Sequence, residues 1–331
     1  MLQTRSEYQE GSYWFYAPNK GGPIAFAMLF TVSGIVHGYQ CVKYRSWKVT
    51  GLFPWAALLF STGFALRTVG AFGNWDNLNI FIASTVLLLA GPPVYEAANF
   101  FTLGRILYYV PYHSPIHPGR VFTTFIALSA VIESITGSGA SLLANAGNPQ
   151  KTQEVGRSLI KAALILQIVQ MVGFVALALK FLSNCSKAHV LNWKIKRPLI
   201  VLLVSCFLII SRTIFRTVEY FTAASLSVTD INHISPILTD EWFFWVFETS
   251  LMFTNTTMLN ILHPMETLPR SNKIYLATDG VTEIEGPGYK DERHVLFTLF
   301  DPFDIVGIIM NRKQVKYWEN SEASSDPSGG A

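Results

Sequence analysis

The sequence predicts an all-α, polytopic integral membrane protein, a bundle of seven transmembrane helices with the N-terminus outside and the C-terminus cytosolic. Three observations carry this expectation. Only 14% of the 331 residues are charged, against about 25% in ordinary soluble proteins, and 50% are hydrophobic. The charge is crowded into the end of the chain, where residues 263–331 hold 18 of the 25 basic and 22 acidic residues. The rest divides into apolar stretches of about 20 residues, the length that crosses a bilayer. This composition excludes a disordered chain, a coiled coil and a basic nucleic-acid-binding domain, and argues against a soluble enzyme.

Residues 1–22 are polar and of mixed charge, with Arg5, Glu7, Glu10 and Lys20, and lack the pattern of a cleaved signal peptide. They read as an extracellular tail. Seven spans follow, at 23–42, 51–70, 78–103, 121–144, 157–181, 198–220 and 239–262. Orientation comes from Lys and Arg in the connections. Loops 43–50, 104–120 and 182–197 hold nine: Lys43, Arg45, Lys48, Arg105, Arg120, Lys187, Lys194, Lys196 and Arg197. The alternate loops hold Lys151 alone. The sequon at Asn184 then faces the cytosol and should stay unglycosylated. Cys41, Cys185 and Cys206 are too few for a disulfide framework and are expected as free thiols.

The cytosolic tail, 263–331, is soluble-like. Segments 273–277 and 281–285 flank Thr278-Asp279-Gly280 and read as a hairpin. Segments 295–300 and 305–310 are apolar but too short to span, and 320–331 reads as disordered.

The informative residues are the ionisable ones inside the spans, where each is costly and must face protein, water or a ligand. Span 6 carries Arg212, Arg216 and Glu219, whose helical offsets fall within about 60° of one another. Span 7 places Glu241, Glu248 and Asn255 at seven-residue spacing, on one stripe. Glu133 lies near mid-depth in span 4, Glu96 and Asn99 lie in span 3, and Arg67 ends span 2. Two readings stand side by side. These are ion pairs that pin helix to helix, or they line a polar pocket among spans 3, 4, 6 and 7 that receives an amphiphile's head group. Gly137-Ser138-Gly139 should let a neighbouring helix approach closely. Gln167 and Gln170 suit interhelical hydrogen bonds, and Gly91-Pro92-Pro93 should kink span 3 and open space near Glu96. His113 and His117 sit among Pro111, Pro115 and Pro118 and so do not share a helical face, which argues against a zinc site, and no Gly-rich phosphate loop is present. No cofactor, nucleotide or nucleic acid is expected.

At these residues the sequence resembles the fungal RTA-like family, also called lipid-translocating exporters. The run Arg212-Thr213-Ile214-Phe215-Arg216-Thr217-Val218-Glu219 matches that family's span 6 signature. Tyr95-Glu96-Ala97-Ala98-Asn99-Phe100, Leu103-Gly104-Arg105, His113-Ser114-Pro115, His117-Pro118-Gly119-Arg120 and His263-Pro264 also fit. The similarity covers about residues 13–265. Many members carry an Asp and a Gln in span 4, where this chain has Glu133 ahead of Gly137. The resemblance implies export of sphingoid bases or toxic amphiphiles from the plasma membrane, a non-enzymatic role, and membrane lipids or amphiphilic small molecules as partners. On that reading Arg212, Arg216, Glu219, Glu133, Glu248, Glu96, Asn99 and Arg67 would bind the substrate. A seven-span receptor or sensor of lipids, and a membrane-embedded lipid hydrolase, are the alternatives.

Overall fold

The computed structural model describes residues 12–14, 16, 18–144, 147–225, 235–277, 279–286 and 301. The expectations for 295–300, 305–310 and 320–331 lie outside the described residues.

Each long apolar run becomes a helix, because a backbone removed from water must satisfy its polar groups within the segment. The helices are α1 (Gly21–Lys43), α2 (Leu52–Ala71), α3 (Leu78–Tyr109), α4 (Pro118–Ala144), α5 (Gln150–Lys187) and α6 (Trp193–Ser225). All six are long and apolar enough to cross a membrane. The chain is an all-α polytopic membrane protein. Local chemistry sets several boundaries. The Asn77 side chain accepts hydrogen bonds from the Asn79 and Ile80 backbone N–H groups, at 3.0 and 3.3 Å, and so caps α3. Pro118 opens α4 at a position that has no hydrogen bond to lose.

The last helical run, α7, covers 241–261 and changes type along its length. Glu241–Phe243 is α-helical, Phe244–Ser250 is a π-helix, and Leu251–Ile261 is α-helical again. The wider turn undoes the seven-residue stripe read from the sequence. Glu241 meets α2 and Glu248 meets α6, instead of both facing one neighbour.

Helix α3 is the central post. It packs against α2, α4 and α6, while α1 packs on α2 and α7, and α5 lies between α4 and α6. Close approach is achieved with glycine. A β-carbon on Gly139 of α4 would sit 2.8 Å from the Gly156 carbonyl of α5, and one on Gly91 would strike the Phe60 ring at 2.3 Å. Gly137 meets nothing within 4 Å, so of the small residues in α4 it is Gly139 that makes the contact. Helix α3 runs through Pro92 and Pro93 without ending. The space expected beside Glu96 is not found there: Glu96 is 2% exposed.

The core has an aromatic half and a polar seam. Phe30 stacks on Phe60 at 4.6 Å between ring centres, and Phe26, Phe64 and Trp245 continue the stack from α1 through α2 to α7. Such pairs contribute about 0.5–1.5 kcal/mol each beyond area burial. The seam joins α1 to α7: Ser33 and His37 bond Thr256 at 2.8 and 3.1 Å, and Asn260 donates to Ser33 at 2.6 Å.

Contacts sort the helix ends into two groups. The N-terminal segment, the end of α2 and the start of α7 meet at one end, called here the N-terminal end. The tail meets the ends of α3, α5 and α6 at the other. There β1 (Ile274–Leu276) pairs antiparallel with β2 (Glu283–Glu285), the hairpin read from the sequence. Tyr109 and Lys194 both donate to Glu283 Oε1 at 2.8 Å, and Arg105 donates to the Pro269 carbonyl at 2.8 Å.

Candidate functional site

The N-terminal half of the bundle encloses a cavity of about 330 Å³, within the size range of ligand pockets. Six of the eight residues singled out in the sequence line it: Arg67, Glu133, Arg212, Arg216, Glu219 and Glu248.

Two adjacent turns of α6 supply the floor and one wall. Arg212 Nε donates to Glu248 Oε1 at 3.0 Å, and the same oxygen accepts a second bond from the Arg212 fork. Both side chains are almost wholly buried, at 4% and 2% exposure. One turn on, Arg216 pairs with Glu219 and lies 3.6 Å from the other Glu248 oxygen. Helical periodicity puts the two arginines on one face. The π-helical turn of α7 brings Glu248 between them. Neither arginine is free. The Arg212–Glu248 pair is desolvated, Arg216 and Glu219 are partly so, and each charge has its counter-charge, as low dielectric requires.

Arg67 forms a second centre at the mouth. Its guanidinium donates to the Tyr16 hydroxyl at 2.8 Å and to Glu241 Oε1 at 2.9 Å, and it lies 4.2 Å over the Phe244 ring, a cation–π contact. Glu241 also accepts from the Asn19 backbone N–H at 2.9 Å. The N-terminal segment is thereby tied across the mouth, with Tyr13, Trp14 and Tyr16 forming its inner surface.

Glu133 differs from these carboxylates. It lines the cavity and is exposed, so the cavity reaches the bundle surface beside α4. Among the described residues no side chain pairs with it. Glu96 and Asn99 are not in the cavity wall. Gln167 donates to Glu96 Oε1 at 3.0 Å, and Asn99 donates to Ser205 Oγ at 2.9 Å, so the two tie α3 to α5 and α6. Gln167 itself reaches the cavity, while Gln170 donates to Ser129 of α4 at 2.6 Å.

Sequence reasoning left several lining residues out of the site: Tyr13, Trp14, Tyr16, Tyr220 and Asp240, together with Glu241 as the partner of Arg67. The aromatic run at 13–16, inside an otherwise polar tail, was the signal for the first three. Among the described residues no three His, Cys, Asp or Glu side chains gather as a metal would require.

Residues 53–271 match the sequence model of the family described as RTA1 like protein. The chain is 39% identical to a lipid-translocating exporter-like protein RTA1 of Leptosphaeria maculans, over 99% of its own length and 66% of that protein's. It thus spans just under two thirds of that relative. A lipid-translocating exporter-like protein RTA1 of Ajellomyces capsulatus is 29% identical over 81% of this chain and 84% of its own. Protein RTA1 of Saccharomyces cerevisiae is 24% identical over 83% and 92%. No solved structure matches the chain.

Proposed function

The chain belongs to the RTA1-like family, and from that premise we propose that it translocates amphipathic lipids or toxic amphiphiles, of the sphingoid-base kind, across the plasma membrane. The observation that carries this reading is the convergence of Arg67, Glu133, Arg212, Arg216, Glu219 and Glu248 on one cavity that opens beside α4. A head group entering sideways meets Glu133 first. A cationic amine pairs with that carboxylate at no cost to an existing bond, while its alkyl chain stays among lipid. Deeper in, the paired arginines and glutamates offer exchangeable partners to hydroxyl, phosphate or amine groups. Glu96 and Asn99 hold the helices beneath this site. The chain crosses the membrane seven times in this reading, α7 included, with the cavity towards the outside and the hairpin in the cytosol. The protein moves its substrate without breaking a bond in it, and the relatives' names as lipid-translocating exporter-like proteins fit this.

The test is flux of fluorescent sphingoid bases and phospholipids in proteoliposomes holding the full chain. Protein-dependent flux of the amine lipids is expected. Saturable binding with no flux of either would replace the translocator with a sensor.

A further inference from the structure

Below the cavity floor, buried polar atoms run along α7 toward the tail end without partners among the described residues. Thr249 Oγ1 and both amide atoms of Asn255 make no hydrogen bond, and both residues are wholly buried. The Tyr95 hydroxyl is buried and has no hydrogen-bond partner of ordinary geometry among the described residues. Thr256 is bonded to His37 Nε2 at 3.1 Å, yet His37 Nδ1 is unpartnered, as is His263 Nε2. From Glu248 to the end of α7 at Ile261 the helix rises about 19 Å, and His263 lies just beyond it. A buried polar atom left unpaired is costly, and internal water is what satisfies such atoms in proteins.

We propose that this file holds a water chain that carries protons between the tail end of the bundle and Glu248 at the cavity floor. The proton arrives at Glu248 Oε2, which makes no hydrogen bond and faces Arg216. An O–H bond forms and the carboxylate charge is lost. Arg212 loses its counter-charge while Arg216 keeps Glu219, and the cavity gains one unit of positive charge. A cationic head group and the proton therefore exclude each other, so a proton entering from the tail end drives the amine out of the site. The coupling is reciprocal, and bound amine also disfavours the proton. The charged and titratable groups around the path are Arg212, Arg216, Glu219 and Tyr220 from α6, Glu133 from α4, Glu96 and Tyr95 from α3, Arg67 from α2, His37 from α1, and Tyr16 and Asp240 at the mouth, with His263, Tyr44 and Glu266 at the tail end. The coupling rests on the cavity being the lipid site; the proton path does not.

The experiment uses the full chain in liposomes enclosing a pH dye, with a membrane potential set by potassium and valinomycin. Protein-dependent proton uptake is expected, and Asn255→Leu should abolish it. That variant removes two unpaired buried atoms, so its melting temperature should hold or rise, which separates the loss from misfolding. His37→Phe should act in the same direction. In the same vesicles a pH gradient should accelerate flux of a long-chain amine in the wild type and not in Asn255→Leu. Wild-type proton uptake in a well-folded Asn255→Leu overturns the path, as does the absence of any protein-dependent uptake. Proton uptake that depends on Asn255, without lipid flux, upholds the path and removes the translocator reading instead.

Discussion

The ring of Trp14 lies 2.5 Å from where a β-carbon on Gly70 would stand. The N-terminal segment can therefore close over the cavity only because position 70 has no side chain. Trp14 is 6% exposed in this seat and meets Phe81 edge-on at 5.1 Å.

Gly70→Val should push Trp14 out of its seat and open the mouth. Overpacking of this kind costs about 1–3 kcal/mol. Quenching of tryptophan fluorescence by a water-soluble quencher should rise, and Trp14→Phe should cancel the rise. Equal quenching in Gly70→Val and wild type would leave the cover in place.

The α6 arginines should separate charge from geometry. Arg212→Leu removes both hydrogen bonds of the buried Glu248, leaving it only Arg216 at 3.6 Å, and should destabilise by about 3–5 kcal/mol. Arg216→Lys keeps the charge but loses the planar fork. It should fold and reach the surface, yet lose most lipid flux or amphiphile tolerance. Surface abundance, thermal stability and flux measured together decide this, and normal flux would reduce Arg216 to scaffolding.

Glu133→Gln breaks no bond described here, so stability should stay within about 0.5 kcal/mol of the wild type. Flux of amine lipids should fall sharply, and flux of uncharged analogues should not. Equal loss for both classes would mean that Glu133 shapes the opening without reading charge.

Orientation can be checked with cysteines at exposed positions. Asn74→Cys should react with an impermeant maleimide on intact cells, and Lys187→Cys only after permeabilisation. The native Cys41, Cys185 and Cys206 are buried and give a low background. Labelling of both sites from outside would remove the orientation.

The docked hairpin carries a pH dependence. Hydrogen bonds from Lys194 and Tyr109 hold the Glu283 carboxyl below its ordinary value of 4.5. A depressed carboxyl stabilises the docked state above that value, and the contribution fades as pH falls below it. Lys194 and Glu283 are exposed, so the effect is under about 1 kcal/mol. Glu283→Gln should speed tryptic cleavage at Lys273 near neutral pH, and truncation after Leu268 should lower abundance while sparing flux. Loss of flux in a well-expressed truncation would put the tail in the mechanism.

How far the sequence could be read follows from what periodicity encodes. Apolar length alone located the helices, because a bilayer fixes the length an element needs. The face shared by Arg212, Arg216 and Glu219 was legible, since those offsets belong to a regular helix. Their partner was not. Glu248 and Glu241 sit on one stripe of an α-helix, and only the π turn sends them to different arginines. Glu96 and Asn99 look like pocket residues because spacing gives depth and face, not which neighbour is met. Gln167 and Ser205, from two other helices, claim them. The cover over the mouth was hidden for the opposite reason: it comes from a segment with no periodicity at all.

The two prolines in α3 leave a mark on the cavity wall that no side chain carries. Pro92 and Pro93 have no N–H to give to the carbonyls of Leu88 and Leu89, four residues back. Leu88, Leu89 and Pro93 all border the cavity. The carbonyls of Leu88 and Leu89 are thus relieved of their usual helical donors where α3 borders the cavity. Substituting every side chain around the cavity would leave these acceptors untouched; only restoring the missing N–H groups, by alanine at 92 and 93, would withdraw them.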